Sequence, residues 1–127
     1  MIERLERMYA LVWREHDLDA AMRELPDDFE WVMPGHPDGA VRHGRHAVTE
    51  FFRDWIDQWD EPGSEWELEM TGPDTVLALT TTRGRGRASG VPVELSFAQV
   101  WTFRDGVPVR MVIYADPEKA RRAAARP

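Results

Sequence analysis

TVLALTTTRGRGRASGVPVELSFAQVWTFRDGVPVRMVIY, residues 75–114, decides the fold of this chain. Three runs rich in apolar and β-branched residues, Thr75–Arg87, Val91–Arg104 and Val107–Tyr114, are separated by Ser89-Gly90 and by Asp105-Gly106. Glycine supplies the positive φ of a tight hairpin turn, and Asp-Gly between two apolar runs is the strongest short hairpin signal. A fourth run, Trp66–Met70, precedes them across Gly72-Pro73-Asp74. Strands gathered in one block and joined by hairpins make an antiparallel meander, not the alternating pattern of a parallel sheet.

Upstream, Leu5, Met8, Tyr9, Val12, Trp13 and His16 recur at three- and four-residue steps, the stripe of an amphipathic first helix starting at Ile2. Asp17 can cap a short second helix carrying Leu18, Met22 and Leu25, which Pro26 stops. Phe29–Met33 alternates as a short strand, and Gly35–Gly44 reads as a loop across the mouth of the fold, a lid holding His36 and His43. A third helix, Arg45 to about Trp59, buries a stripe of Val48, Phe51, Phe52, Trp55 and Trp59, with Pro62-Gly63 as its break. Asp116-Pro117-Glu118 opens a last helix through Ala125. Residues 1–127 thus form one α+β domain, a curved antiparallel sheet packed against N-terminal and central helices, with Gly84 and Gly86 where the longest strand can bend.

Composition narrows the function classes. Zero cysteines exclude disulfides, thiolate metal sites and cysteine nucleophiles together, and fit a reducing compartment. Charges at Glu3, Arg4, Glu6 and Arg7 break any apolar leader, and no apolar run approaches the length of a membrane span, so the cytoplasm is the expected location. A net charge of −7 repels phosphate backbones and anionic lipid, so neither nucleic acid nor membrane is an expected partner despite the Arg83-Gly84-Arg85-Gly86-Arg87 run. Six tryptophans point instead to a broad aromatic interior. His43 and His46 are three residues apart, but Gly44 interrupts the helix that would align them and no third ligand is evident, so neither metal nor cofactor is expected.

The order of these pieces resembles the polyketide-cyclase-like, or SnoaL-like, branch of the nuclear transport factor 2-like (NTF2-like) superfamily. The resemblance covers nearly the whole chain: the opening helices, Phe29-Glu30-Trp31, His43-Gly44 before the aromatic helix, Gly84–Gly90, and Phe103-Arg104-Asp105-Gly106 with the strand ending near Tyr114. It implies a cone closed by the sheet over three helices, with a small-molecule pocket inside. In the cyclases it resembles, an aspartate on the strand before the Asp-Gly turn acts as general base, assisted by a histidine one strand earlier. The matching positions here are Gln99 and the neighbourhood of Arg85. Glutamine takes up no proton at neutral pH, so this chain departs from that pattern.

Which side chains share the pocket depends on the hairpin at Ser89-Gly90. A two-residue loop sets Arg85 across from Glu94 as an exposed ion pair. A three-residue loop, Ala88–Gly90, puts Leu77, Leu79, Thr81, Arg83 and Arg85 on one face with Leu95, Phe97, Gln99 and Trp101. The second is preferred because it groups the large apolar residues, with Thr80, Thr82, Ser96 and Ala98 on the other side. On that register Trp31, Phe51, Trp55, Thr81, Arg83, Phe97, Trp101 and Tyr114 line a ligand site, and Arg85 and Gln99 hold an anionic or carbonyl oxygen. Two functions follow. One is an isomerase- or cyclase-type enzyme, with Arg85 and Gln99 stabilising an oxyanion and His43 or His46 accepting the proton. The other is a binding domain that holds a small hydrophobic or anionic ligand without chemistry. An outward sheet face carrying Ala78, Val100, Val112 and Thr80 or Thr102 is apolar enough to predict a homodimer.

Overall fold

The computed structural model describes residues 1–33 and 41–125. Most of the proposed lid, with His36, lies outside the described residues. Four helices and six strands follow in the order α1 (Ile2–Trp13), α2 (Leu18–Met22), β1 (Glu30–Val32), β2 (Val41–His43), α3 (Arg45–Asp57), β3 (Trp59–Gly72), β4 (Thr75–Gly86), β5 (Pro92–Arg104), β6 (Val107–Tyr114) and α4 (Pro117–Ala124). They build one sheet of order β2-β1-β6-β5-β4-β3. Every pairing is antiparallel except β1 with β6, where Trp31 lies beside Met111. Among the described residues no helix is long and apolar enough to cross a membrane.

Three boundaries move from the sequence expectation. Val41–His43 is a strand on β1, not loop, so His43 lies opposite Glu30. Trp59 belongs to β3, which starts seven residues before Trp66; in place of the expected break at Pro62-Gly63 it has a bulge of Glu61, at φ 51°, and Pro62 between the paired Asp60 and Gly63. His16 lies beyond α1 in the left-handed region at φ 55°, off the buried stripe. The Asp105-Gly106 turn is as read, with both residues at positive φ, 53° and 77°.

The sheet is two-sided. On its inner face Val76, Ala78, Phe29, Trp101, Phe103 and Met111 pack with Leu5, Met8, Tyr9 and Val12 of α1, with α2 and with Val48 of α3. On its outer face Leu77, Ala98 and Val100 lie under Ala120 and Ala124 of α4, with Leu79 and Tyr114 at the margin. Asp116 caps α4 by accepting from the Glu118 amide, and Arg121 reaches Glu69 at 3.4 Å. This corrects the basis of the predicted homodimer. Ala78 points inward and is fully buried, and the apolar outer patch around Val100 is covered by the chain's own α4.

Two glycines sit where a side chain would be strained or crowded. Gly44, at φ 90°, starts α3 while its amide donates to the Phe29 carbonyl at 2.7 Å. Gly84 passes the β3 bulge so closely that a Cβ would lie 3.3 Å from Pro62 Cα and from the Trp59 ring.

Candidate functional site

Between the inner face and helices α1–α3 lies a cavity of about 440 Å³. Its walls are mostly aromatic and sulfur-bearing. Trp31 meets Phe51 and Phe52 at ring separations of 6.1 and 5.5 Å, Phe52 stacks on Trp55 at 5.8 Å, and Trp13 stands edge-on to Trp55 at 6.4 Å. α1 contributes Met8, Tyr9, Val12 and Trp13; α3 contributes Phe51, Phe52 and Trp55; the sheet contributes Ser64, Thr80, Thr82, Phe97, Gln99, Trp101, Met111 and Ile113. Long apolar side chains on three- and four-residue spacing from two helices face alternate residues of three strands, as the two periodicities dictate.

The polar groups are few and neutral. The Trp101 indole N–H donates to the Tyr9 hydroxyl at 3.0 Å, and Tyr9 donates to Gln99 Oε1. Burial pushes the Tyr9 hydroxyl well above its ordinary pKa, only partly offset by the Trp101 hydrogen bond, so it is a neutral donor at physiological pH. Thr80 donates to the Phe97 carbonyl at 3.4 Å, Thr82 to Ser64 Oγ at 3.2 Å, and Ser64 to the Thr81 carbonyl at 3.2 Å. Among the described residues no Asp, Glu, His, Lys or Arg lines the cavity, and no group of three or more His, Cys, Asp or Glu stands ready to hold a metal ion.

The observed register explains which expected site residues come together. Arg83 pairs with Glu94, Arg85 with Pro92, Thr81 with Ser96 and Ala78 with Gln99. Arg87–Gly90 form the connection, closed by Gly90 N–H donating to the Gly86 carbonyl at 2.7 Å. This four-residue link gives the side-chain parity of the two-residue alternative, not of the preferred three-residue loop. Phe97, Gln99 and Trp101 therefore share the cavity with Trp31, Phe51 and Trp55, as grouped from sequence.

Thr81, Arg83 and Arg85 face the other way, and Thr80 and Thr82 take their place. Arg83 donates to Glu94 at 3.0 Å with Glu65 at 3.6 Å, an exposed ion network. Arg85 donates to the Gly90 carbonyl at 3.3 Å. Tyr114 sits opposite Ala98 on the α4 side, outside the cavity. His43 is 74% exposed beside Glu30 at 3.5 Å, and His46 is 89% exposed beside Glu50 at 3.1 Å. Neither histidine lines the cavity.

Sequence reasoning missed Tyr9, Ser64, Thr80 and Thr82. The signal for Tyr9 was its place on the α1 stripe, where a phenol must find a partner once buried. For the threonines it was the Thr80-Thr81-Thr82 run, in which alternate residues face opposite sides.

A curved, mostly antiparallel sheet wrapped over three helices around an aromatic cavity is the NTF2-like cone. The chain belongs to the SnoaL-like domain family, whose model matches residues 5–111. Among solved structures, a Jannaschia sp. CCS1 protein named as a SnoaL-like polyketide cyclase is similar at TM-score 0.79 and 17% identity, covering 99% of this chain and 92% of its own. An NTF2-like protein from Burkholderia thailandensis gives TM-score 0.76 and 24% identity, covering 98% and 96%. TerC, co-crystallised with polyporic acid, gives TM-score 0.74 and 23% identity, covering 98% of both chains. No curated protein matches the sequence. At these identities the structural neighbours show the fold alone.

Proposed function

We propose that this chain is a small-molecule binding domain whose cavity takes a compact, largely apolar ligand without supplying a base of its own. The observation that carries this reading is the neutrality of the cavity: among the described residues, the side-chain polar groups lining it are hydroxyls, one amide and indole N–H groups. Proton abstraction needs an acceptor within hydrogen-bond reach of the ligand, and the only titratable lining group among the described residues, Tyr9, is held protonated. The oxyanion pair of Arg85 with Gln99 and the proton-accepting role of His43 or His46 lose their support, because Arg85 and both histidines lie outside the cavity. An anionic ligand loses its counter-charge with Arg85, so the ligand is neutral. That some neighbours are named as cyclases, and that TerC was crystallised with polyporic acid, lend weight to a small organic ligand of polyketide-like character.

Nile red, a neutral dye whose emission shifts in apolar surroundings, tests the reading. It should bind the parent chain saturably. Phe97→Asp, which puts a charge into the cavity wall, should weaken it at least about tenfold, since an unpaired buried charge is strongly disfavoured. Arg85→Met should bind as the parent does. Binding that ignores Phe97→Asp overturns the proposal. A second measurement addresses chemistry: deuterium exchange at the α-carbon of a bound ketone should run at the buffer rate, and acceleration abolished by Gln99→Leu would restore the enzyme reading.

A further inference from the structure

Three side chains in the cavity wall form a hydrogen-bond chain that runs in one direction. An indole N–H can only donate, so Trp101 spends its proton on the Tyr9 oxygen at 3.0 Å. Tyr9, kept neutral, then has its own proton to give, and it goes to Gln99 Oε1. An amide carries its acceptor on one arm and two donors on the other. With the acceptor arm engaged by Tyr9, Gln99 has only its NH₂ arm left to offer. The competing hydroxyls have committed their protons: Ser64 to the Thr81 carbonyl, Thr80 to the Phe97 carbonyl and Thr82 to Ser64. Among the amide and hydroxyls of the described lining, Gln99 Nε2 alone keeps an uncommitted donor, and the buried Trp31 indole N–H, which also has no partner among the described residues, stands in the cavity wall as a second one.

We infer that Gln99 sets the ligand class of this cavity, selecting a rigid apolar molecule that bears a carbonyl-type acceptor oxygen, and that Tyr9 is the positioning residue which fixes this polarity. The inference rests on the binding role proposed above. It adds a direction: the same amide turned over would favour a donor, and that turn would leave the buried Tyr9 proton without its acceptor. A carbonyl on the ligand completes the chain from Trp101 through Tyr9 and Gln99 to the ligand oxygen, all in one sense. Such chains polarise each member and strengthen the last bond.

The test uses 9-fluorenone and fluorene, which share a planar outline and differ in a carbonyl against a methylene, each displacing Nile red from the full chain. The parent should prefer the ketone by about three- to tenfold, the range of one neutral hydrogen bond. In Gln99→Leu the ratio should fall to near one. In Tyr9→Phe, which removes only the hydroxyl and keeps the ring in the cavity wall, the ratio should fall to less than half the parent's, because the amide is free to turn. Equal binding of the two compounds by the parent overturns the inference and leaves the binding role standing. A ketone preference that survives in Gln99→Leu also overturns it. If the ketone does not displace bound dye, the inference is overturned; if the dye itself does not bind saturably, the binding role fails.

Discussion

Tyr9 joins stability to the cavity through one oxygen atom. Its ring stacks on Trp66 at 5.5 Å and stands edge-on to Trp101 at 6.3 Å, while its hydroxyl satisfies both the Trp101 indole and the Gln99 carbonyl. Tyr9→Phe should therefore cost about 1 to 3 kcal/mol in urea melts at neutral pH, since it strands a buried donor and acceptor while keeping the ring. The same hydroxyl gives a pH signature. An unfolded tyrosine ionises near its ordinary value of 10.0, whereas burial raises the folded value well above it. This contribution is fully present below the unfolded value and is lost progressively as pH rises from there toward the folded one. Between about pH 9 and pH 11 the parent should lose roughly 1 kcal/mol more than Tyr9→Phe does. Parallel losses would place the hydroxyl in water. The sequence showed that Tyr9 lies on the α1 stripe and that its phenol needs a partner, but not which partner, because periodicity reports which face is buried and not what a buried hydroxyl meets.

β4 shows where reading strands by polarity succeeds and where it fails. The meander, the Asp105-Gly106 turn, the aromatic stripe of α3 and the cone were legible, because each follows from local periodicity, turn chemistry or their order. The facing of β4 was not. Grouping the large apolar residues Leu77 and Leu79 with Phe97 and Trp101 assumes one buried face, but α4 buries the other one too, and the inner face carries small residues and threonines because a cavity has to fit there. A single residue in the length of the Arg87–Gly90 connection inverts every assignment along the strand, which is how Arg85 moved out of the site and Thr82 moved in. The β3 bulge was read as a break for a similar reason: Pro62-Gly63 interrupts the pattern without ending the strand. Gly84 is the counterpart of that bulge. An alanine there meets backbone at Pro62 and Asp60 as well as the Trp59 ring, so Gly84→Ala should lower stability by about 1 kcal/mol despite the entropy it removes from the unfolded chain. An alanine variant as stable as the parent would mean the bulge yields freely.

At the scale of the whole molecule, α4 completes a second, smaller core. Ending the chain at Ala115 should uncover Leu77, Ala98 and Val100, cost at least about 2 kcal/mol and drive self-association visible by sedimentation at concentrations where the intact chain shows none through that face. Unchanged sedimentation would show that the outer face tolerates water. The parallel pairing of β1 with β6 carries a different consequence, one of time. β3 to β6 are joined by short connections and can zip successively, whereas Glu30–Val32 must find Arg110–Val112 some 80 positions along the chain. Closing so long a loop costs entropy that only finished neighbours repay, so β1 docks after the meander exists and leaves before it melts. Trp31 rides on that strand, and with it one wall of the cavity. Amide exchange should therefore be slowest in β4 and β5 and fastest, among the paired strands, in β1 and β2. A ligand held in the cavity should slow exchange at Trp31 and Val32 more than anywhere in the meander, because it binds only the chain in which that last strand has arrived.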